Sequence, residues 1–146
     1  MKLVPDPILR QQAKKINPIP EGIRKYTEDM IETMHDEHGV GLAANQVGSL
    51  RKVAVIQLPE WDEALVLINP EIIRREGERE VEEGCLSIPN LTLQMERYDK
   101  IKVRYYNLEG KAIKKPLNKF ISRLYQHELD HLNGKLMIED RSKIKD

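Results

Sequence analysis

The stretch NKFISRLYQHELDHL, residues 118–132, forms the last strong helical pattern of the chain. Asn118 is a suitable N-cap, and Gly134 stands where a glycine commonly ends a helix. Most segments before it read as strands, so we expect an α+β fold in which mixed or antiparallel strands pack around this late helix. Earlier helices are predicted over residues 6–13 and 21–38. Strands are predicted over residues 53–58, 65–68, 72–81, 91–98, 101–106 and 111–117, with a hairpin turn at 107–110.

The late helix carries the pattern H-E-x-x-H, formed by His127, Glu128 and His131. Residues four apart lie on one face of a helix, so both histidines can reach the same metal ion. Glu128 lies beside the first histidine, where a carboxylate can move the protons of a metal-activated water. Leu124 and Phe120 continue the face towards the helix start, so the imidazoles would emerge from an apolar wall. The pattern therefore predicts a metal-binding helix, and the alternative is a helix with two surface histidines.

A catalytic metal commonly has a third protein ligand, and Cys85 is the best candidate for it. Downstream of the histidines, Glu139, Asp140 and Asp146 could serve, but none lies on an obvious second helix. A thiolate binds zinc, iron or cobalt well, and the neighbouring Gly84 allows a close backbone approach. The alternative is a small buried cysteine without a chemical role. As the single cysteine of the chain, Cys85 excludes an intramolecular disulfide and favours a reducing compartment.

The composition fits one domain with a hydrophobic core. The chain has 146 residues, of which 40% are hydrophobic and 33% charged, and no repeat or linker divides it, so residues 1–146 are predicted to form a single domain. Lys+Arg and Asp+Glu each number 24, which excludes the broad basic surface of sequence-independent nucleic-acid or membrane binding, although not a local patch. No signal-peptide core or membrane-length apolar run is present, so we expect a cytoplasmic protein.

Residues 39–46, GVGLAANQ, combine small side chains with the amide of Gln46. The glycines follow neither a dinucleotide-binding nor a P-loop pattern. Small side chains let another backbone pass close by, and the amide can donate hydrogen bonds. Taken alone, the segment is best interpreted as a tight connection between a helix and a strand. Nearby, His35 and His38 are interpreted as cationic side chains suited to a helix C-terminus rather than as ligands.

Three motifs occur in one order: GxGLAAxQ at 39–46, EGCLS at 83–87 and QHExDH at 126–131. They are the three signatures of the peptide deformylase family, which the chain closely resembles. The resemblance extends to LINPEI before the second motif and HLNGKL from the end of the third, so it covers nearly the whole chain. Each motif alone is moderately specific, whereas the ordered triple is highly specific.

The resemblance implies a hydrolase that removes the N-formyl group from the formylmethionine of newly made polypeptides and releases formate. It implies that Cys85, His127 and His131 hold the metal, natively Fe2+, with Zn2+, Ni2+ or Co2+ as substitutes. The implied partners are N-formylmethionyl peptides and nascent chains, with a possible transient ribosome contact. Neither membrane association nor direct sequence-specific nucleic-acid binding is expected.

The resemblance also implies roles around the metal. Glu128 would take a proton from water and deliver it to the departing amine. The backbone N–H of Leu86 and the side-chain amide of Gln46 would stabilise the oxyanion. The peptide would lie extended beside Gly41, like an added strand. The walls of the methionine pocket would be Val40, Val81, Phe120 and Leu124, with Glu83 and His127 near its rim.

Two positions depart from the pattern of the family. Arg123 stands where an aliphatic pocket residue is common, and Thr92 stands where many members carry a basic residue that holds the peptide. Both departures concern peptide preference rather than the reaction. The run 74–83 is rich in charge and is interpreted as a solvated strand surface, except for Glu83 at its end.

Two other functions compete with deformylation. A zinc endopeptidase would share the helix motif, but it would need neither Cys85 nor Gln46, and the chain lacks a convincing downstream ligand for it. A binding module descended from the enzyme would be expected to have lost Glu128 or a metal ligand, and all of these are present.

Overall fold

The computed structural model describes residues 1–3, 6–85, 87–135 and 144–145. These residues form an antiparallel sheet and two α-helices, which confirms the predicted α+β class. The helices are α1 (Ile23–Asp36) and α2 (Lys119–Leu132), and neither is long and apolar enough to span a membrane. The strands are β1 (Gly41–Ala43), β2 (Val53–Ile56), β3 (Leu65–Cys85), β4 (Ile88–Tyr106), β5 (Ala112–Asn118) and β6 (Ile144–Lys145).

From β1 to β5, strands that follow one another along the chain are neighbours in the sheet. The order is β1-β2-β3-β4-β5, all neighbouring pairs are antiparallel, and β6 pairs with β4. The turn predicted at 107–110 joins β4 to β5, where the N–H of Gly110 donates to the carbonyl of Asn107 at 3.0 Å. Strand β1 lies at one end of this order, so it forms an edge of the sheet.

Strands β3 and β4 form one long ribbon that places Cys85 at its tip. Their pairing runs from Ile68 opposite Tyr106 to Cys85 opposite Ile88. The register shifts at three places along the ribbon, and such irregularities bend a strand and increase its twist. Residues 73–80 are exposed, as predicted for the charged surface of this segment.

The predicted strand breaks within this ribbon are wrong. Pro70 was expected to end a strand at Ile68, but β3 continues through it. A proline is tolerated there because the register shifts between Ile68 and Glu71, where a missing N–H costs no regular ladder bond. Likewise, the segments predicted as 91–98 and 101–106 form the single strand β4.

Helix α2 packs across the sheet and completes its main core. Leu124, Tyr125, Leu129 and Leu132 of the helix are buried against strand residues of the same cluster. The hydroxyl of Tyr125 donates to the backbone carbonyl of Glu71 at 2.9 Å, so the ring is anchored at its polar end. The buried residues of this cluster on β1 to β5 are Ala43, Ala54, Ile56, Leu67, Ile101, Val103, Tyr105 and Leu117.

Gln126 fastens the middle of α2 to strand β4. Its Oε1 accepts from the N–H of Tyr98 at 2.9 Å, and its Nε2 donates to the carbonyl of Tyr98 at 2.7 Å. The side-chain amide therefore pairs with one strand residue as a neighbouring strand would. This contact fixes the rotation of the helix, so the residues after Gln126 face the tip of the ribbon.

The amino-terminal half differs from its prediction in two details. The helix expected over 6–13 is a short 3₁₀ helix, Pro7–Arg10, whose cap is Asp6 as the sequence indicates. Helix α1 ends at Asp36, and the left-handed residue beyond it is His38, with φ of 59°, rather than Gly39. The buried face of α1, which includes Met30 and Met34, packs in a second apolar cluster with residues of β1 and β2.

The carboxyl end of α2 is enclosed by the start of the chain. The N–H of Ala13 donates to the carbonyl of Leu132 at 2.6 Å, and Gly134 follows with φ of 74°. A Cβ atom on Gly134 would lie 2.5 Å from the carbonyl oxygen of Arg10. Glycine is therefore required here both for its backbone conformation and for the close approach of the amino-terminal segment.

We expect Gly134→Ala to destabilise the protein more than Gly22→Ala. Gly22 also has a positive φ, 84°, but a Cβ atom there would meet nothing within 4 Å. Gly22→Ala should lower the free energy of unfolding by about 1–2 kcal/mol, the cost of the left-handed backbone alone. Gly134→Ala adds the clash with Arg10, and urea denaturation of both variants measures the difference. Equal losses would contradict the close approach at Gly134.

Candidate metal centre

Three side chains from two elements bring their donor atoms together. Cys85 is the last residue of β3, while His127 and His131 lie one turn apart on α2. The Nε2 atom of His131 is 3.1 Å from the Sγ atom of Cys85 and 3.2 Å from the Nε2 atom of His127. All three donor atoms lie within 4.8 Å of one another. One sulfur and two nitrogens at this spacing fit zinc or a first-row metal such as iron, cobalt or nickel.

The two imidazoles differ in their surroundings. The Nδ1 atom of His127 is 2.9 Å from Oε1 of Glu83, which leaves its Nε2 directed at Cys85 and His131. Burial alone would lower the pKa of His127, but hydrogen bonds to Cys85 and Glu83 raise it to about 10. An outer carboxylate bonded to one ring nitrogen fixes the orientation of an imidazole, so that its other nitrogen can face a metal. Burial and the charge of His127 lower the pKa of His131, which favours its neutral, metal-binding form.

Glu83 belongs to a buried ion-pair network that joins the ribbon to α2. Arg97 on β4 donates to both Glu83 oxygens, from Nε at 2.9 Å and from Nη2 at 2.8 Å. Its Nη1 donates to Asp130 on α2 at 2.5 Å. Burial opposes ionisation of Glu83, but the hydrogen bonds from His127 and Arg97 hold its pKa at about 2. The carboxylate therefore stays charged and holds the His127 ring in place.

Glu128 is enclosed beside the three donor atoms. Its burial, helped by the negative charge of Glu83, raises its pKa to about 7. Its Oε1 atom is buried and has no hydrogen-bond partner among the described residues. Gly41 makes room for this carboxylate, because a Cβ atom there would lie 3.0 Å from both Cδ of Glu128 and Cδ1 of Leu124. The second glycine of the GxGLAA segment is therefore required to leave space for Glu128.

Gln46 directs its amide towards the same place. It lies in a 3₁₀ helix, Ala44–Val47, that follows β1 directly. Its Oε1 accepts from the N–H of Ala43 at 2.9 Å, so the amide nitrogen faces the ribbon. That nitrogen donates to Oγ of Ser87 at 3.1 Å and is 3.9 Å from Sγ of Cys85. Leu86, whose backbone N–H was predicted to be the other oxyanion donor, lies outside the described residues.

A cleft of about 490 Å³ opens beside the donor atoms. The residues predicted from the sequence that line it are Val40, Gly41, Gln46, Glu83, Cys85, Phe120, Leu124, His127 and Glu128. Val81 was expected in the pocket but is not among the described residues that line it. It lies two residues before Glu83 on β3.

Several lining residues were not among the predicted pocket residues, namely His38, Gly39, Glu82 and Gly84, whereas Arg123 lines the cleft at the pocket position that the resemblance gave it. His38 was interpreted as a helix-end cation; its backbone is left-handed, with φ of 59°, and the residue lines the cleft. Arg123 was recognised as a departure, and it pairs with Asp99 at 3.4 Å. Arg97 and Ser87 were missed as supporting residues, because their partners, Glu83 and Asp130 for Arg97 and Gln46 for Ser87, are far away in the chain. Thr92 is exposed on β4.

An α+β scaffold that holds a Cys-His-His donor set beside a buried glutamic acid, at the side of a cleft, defines a metal-dependent hydrolase. The family model described as polypeptide deformylase matches residues 1–146. Peptide deformylase 3 of Shewanella oneidensis is 45% identical over 144 residues, which cover 97% of this chain and 88% of the relative. The chain therefore belongs to the polypeptide deformylase family.

Solved structures agree with this assignment. The crystal structure of peptide deformylase from Thermotoga maritima has a TM-score of 0.89 and 39% identity, over 99% of this chain and 96% of that chain. The crystal structure of a peptide deformylase from Synechococcus elongatus in complex with actinonin has a TM-score of 0.91 and 37% identity. The match covers 99% of this chain and 79% of that chain. Members of the family are metal-dependent hydrolases that remove N-formyl groups from nascent polypeptides, which confirms the predicted enzyme class and function.

Breaking the buried network should cost more than breaking an exposed ion pair of the same ribbon. Arg97→Leu leaves Glu83 buried without its cation, so we expect the free energy of unfolding to fall by about 3–5 kcal/mol. Arg79→Leu is the matched control, because Arg79 pairs with Asp99 at 3.2 Å in a more exposed position and should lose less than about 1 kcal/mol. Urea unfolding of the two variants checks this, and similar losses would refute the role given to Arg97.

Proposed function

We propose that Cys85, His127 and His131 hold a divalent cation that is natively Fe2+, for which Zn2+, Ni2+ or Co2+ can substitute. The observation that carries the proposal is the convergence of the three donor atoms within 4.8 Å beside the buried Glu128. A thiolate with two imidazoles is compatible with each of these metals. When bound, such a cation supplies Lewis-acid polarisation of a carbonyl and lowers the pKa of water.

Glu128 is the proposed proton carrier of the reaction. It takes a proton from the water that attacks the formyl carbon and gives it to the departing amine. A pKa of about 7 suits both steps, because a general acid–base group works best when its pKa lies near the working pH. The unpartnered Oε1 atom supports this role, since no described residue competes for it.

The oxyanion that develops on the formyl group is proposed to accept from Gln46 and from the backbone N–H of Leu86. The Nε2 atom of Gln46 has two hydrogens: the bond to Ser87 at 3.1 Å uses one, and the other has only the long contact to Sγ of Cys85 at 3.9 Å among the described residues. The bond from Ala43 to Oε1 prevents the amide from turning over. A donor held in this way needs little reorganisation when charge develops.

The formylated peptide is proposed to lie extended along β1. This strand is an edge of the sheet, and an edge strand offers backbone groups to an added strand. Its methionine side chain would occupy the apolar part of the cleft, between Val40, Phe120 and Leu124, with Glu83 and His127 at the rim. Val81 is left out of this pocket because it does not line the cleft.

The substrates are the N-formylmethionyl ends of nascent chains, so the proposed place of action is the cytoplasm, where such chains are made. A reducing compartment also protects a thiolate ligand such as Cys85 from oxidation. Any ribosome contact is proposed to be transient and to use local patches, since the net charge of the chain is zero. No direct sequence-specific binding of nucleic acid is proposed.

One assay separates the deformylase from its two alternatives. The protein, loaded with Co2+ under anaerobic conditions, is given formyl-Met-Ala-Ser and, separately, an unformylated peptide of ten residues. Release of formate from the first peptide without cleavage of the second supports the deformylase. Internal cleavage of the second peptide supports an endopeptidase. The absence of both activities supports a binding module.

We expect Glu128→Ala to lower kcat for formate release by about 10²–10⁴-fold, the usual contribution of a general acid–base group. Co2+ should still bind, because all three donor side chains remain. Glu109→Ala is the control, since Glu109 is exposed and pairs only with Arg24 among the described residues. A variant at Glu128 that keeps its Co2+ and turns over at the rate of the control would exclude the proposed role.

We expect Gln46→Leu to lower kcat by about 10²–10³-fold, the usual loss of one oxyanion donor, while Co2+ remains bound. The same substitution at Gln57 is the control, because Gln57 bonds to His35 and Trp61 outside the cleft. Steady-state kinetics and a Co2+ titration of both variants give the two readouts. Undiminished turnover after Gln46→Leu would remove the amide from the mechanism.

A further inference from the structure

Asn45 is a fully buried polar residue that reaches across to the metal-binding helix. Its exposed fraction is 0%, and its Nδ2 atom donates to the backbone carbonyl of His131. Because a carbonyl can only accept, the amide must turn its nitrogen towards this partner. Its Oδ1 atom is buried without a hydrogen-bond partner among the described residues. A buried amide with one satisfied end needs a reason beyond packing.

The position of Asn45, next to Gln46 in the chain, indicates why a buried amide is present here. Asn45 and Gln46 are consecutive residues of the 3₁₀ helix Ala44–Val47, and their side chains reach different elements. Gln46 contacts the tip of the ribbon, at Ser87 and near Cys85, whereas Asn45 contacts α2 at His131. One dipeptide therefore touches both elements that supply the donor atoms.

The two histidine rings are held in different ways, and only His131 is in the helical turn that Asn45 contacts. The ring of His127 is held from outside by Glu83, at 2.9 Å from Nδ1. The Nδ1 atom of His131 is buried and has no partner among the described residues. With no such bond to orient the ring, the place of its Nε2 atom depends on the backbone that carries it and on side-chain packing. That backbone is what Asn45 holds.

We propose that Asn45 is a positioning residue of the metal centre, which holds His131 at the distance from Cys85 that metal binding requires. The proposal rests on the metal site proposed above. Asn45 touches neither the substrate nor the donor atoms, and it acts through the backbone of His131.

Anaerobic Co2+ titration of the metal-free protein tests this role. Asn45→Leu keeps a similar branched shape but removes the donor, and we expect the Kd for Co2+ to rise about 10–100-fold, as is typical when an outer partner of a metal ligand is lost. The visible absorption bands of the bound Co2+ should also shift, because the ligand geometry changes. Asn45→Ala should act in the same direction, which provides a second variant if the first fails to fold.

Asn69 offers a matched control within the same chain. It is also a buried asparagine, and its side chain bonds to the backbone N–H and carbonyl of Ile16, at 2.8 Å and 2.7 Å. Asn69→Ala should lower the free energy of unfolding but leave the Kd for Co2+ and the absorption spectrum unchanged. This comparison separates a loss of general stability from a loss of ligand position.

The outcomes are distinct. Wild-type Kd and spectrum in both Asn45 variants, even with lower stability, would overturn the positioning role and leave the proposed function intact. Failure of the wild-type protein to bind Co2+ would overturn the proposed metal site, and the role of Asn45 with it. Weaker binding with shifted bands in the Asn45 variants, but not in Asn69→Ala, is the expected result.

Discussion

Helix α2 places polar side chains inside an apolar core, and this is stable only where those side chains find partners within the protein. Gln126, His127, Glu128 and His131 are all buried. The partners of Gln126 and His127 come from the β3–β4 ribbon, through the backbone of Tyr98 and the carboxylate of Glu83. The ribbon must therefore curve back until its tip meets the helix, and the register shifts along β3 accommodate that curvature. The need of the buried polar side chains of α2 for partners therefore explains both the site and the shape of the sheet.

The same requirement is left unmet at several buried atoms, and three of them belong to Glu128, His131 and Asn45, the last of which bonds to the backbone of His131. Oε1 of Glu128, Nδ1 of His131 and Oδ1 of Asn45 are buried without partners among the described residues. A group that must exchange a proton cannot be tied by strong bonds to the protein, so an unpartnered carboxylate oxygen is expected of a general base. The network around Arg97 and the apolar core stabilise the fold enough to tolerate these groups.

Features that depend on neighbouring residues in the chain could be predicted. The spacing of His127 and His131 follows from helical geometry, and the cap at Asp6 and the end of α2 before Gly134 follow from local backbone preferences. Predictions that needed pairing across the sheet were less successful. Pro70 reads as a strand end, because nothing in its neighbourhood indicates the bulge that accommodates it. Arg97 reads as one more charge on an alternating strand, since its partners lie 14 residues before it and 33 residues after it.

The sequence by itself determined the class of the fold, the family and the kinds of atoms available for a metal, because motifs and helical periodicity are written in short segments. Only the tertiary structure decided how these segments meet. It brought Sγ of Cys85 to 3.1 Å from Nε2 of His131, 46 residues away, and it placed His38 beside the cleft while leaving Val81 out of its described lining. The physical reason is that such contacts depend on strand register and on the rotation of α2. Both are set by the buried polar bonds of Gln126 and Arg97, which link residues far apart in the chain.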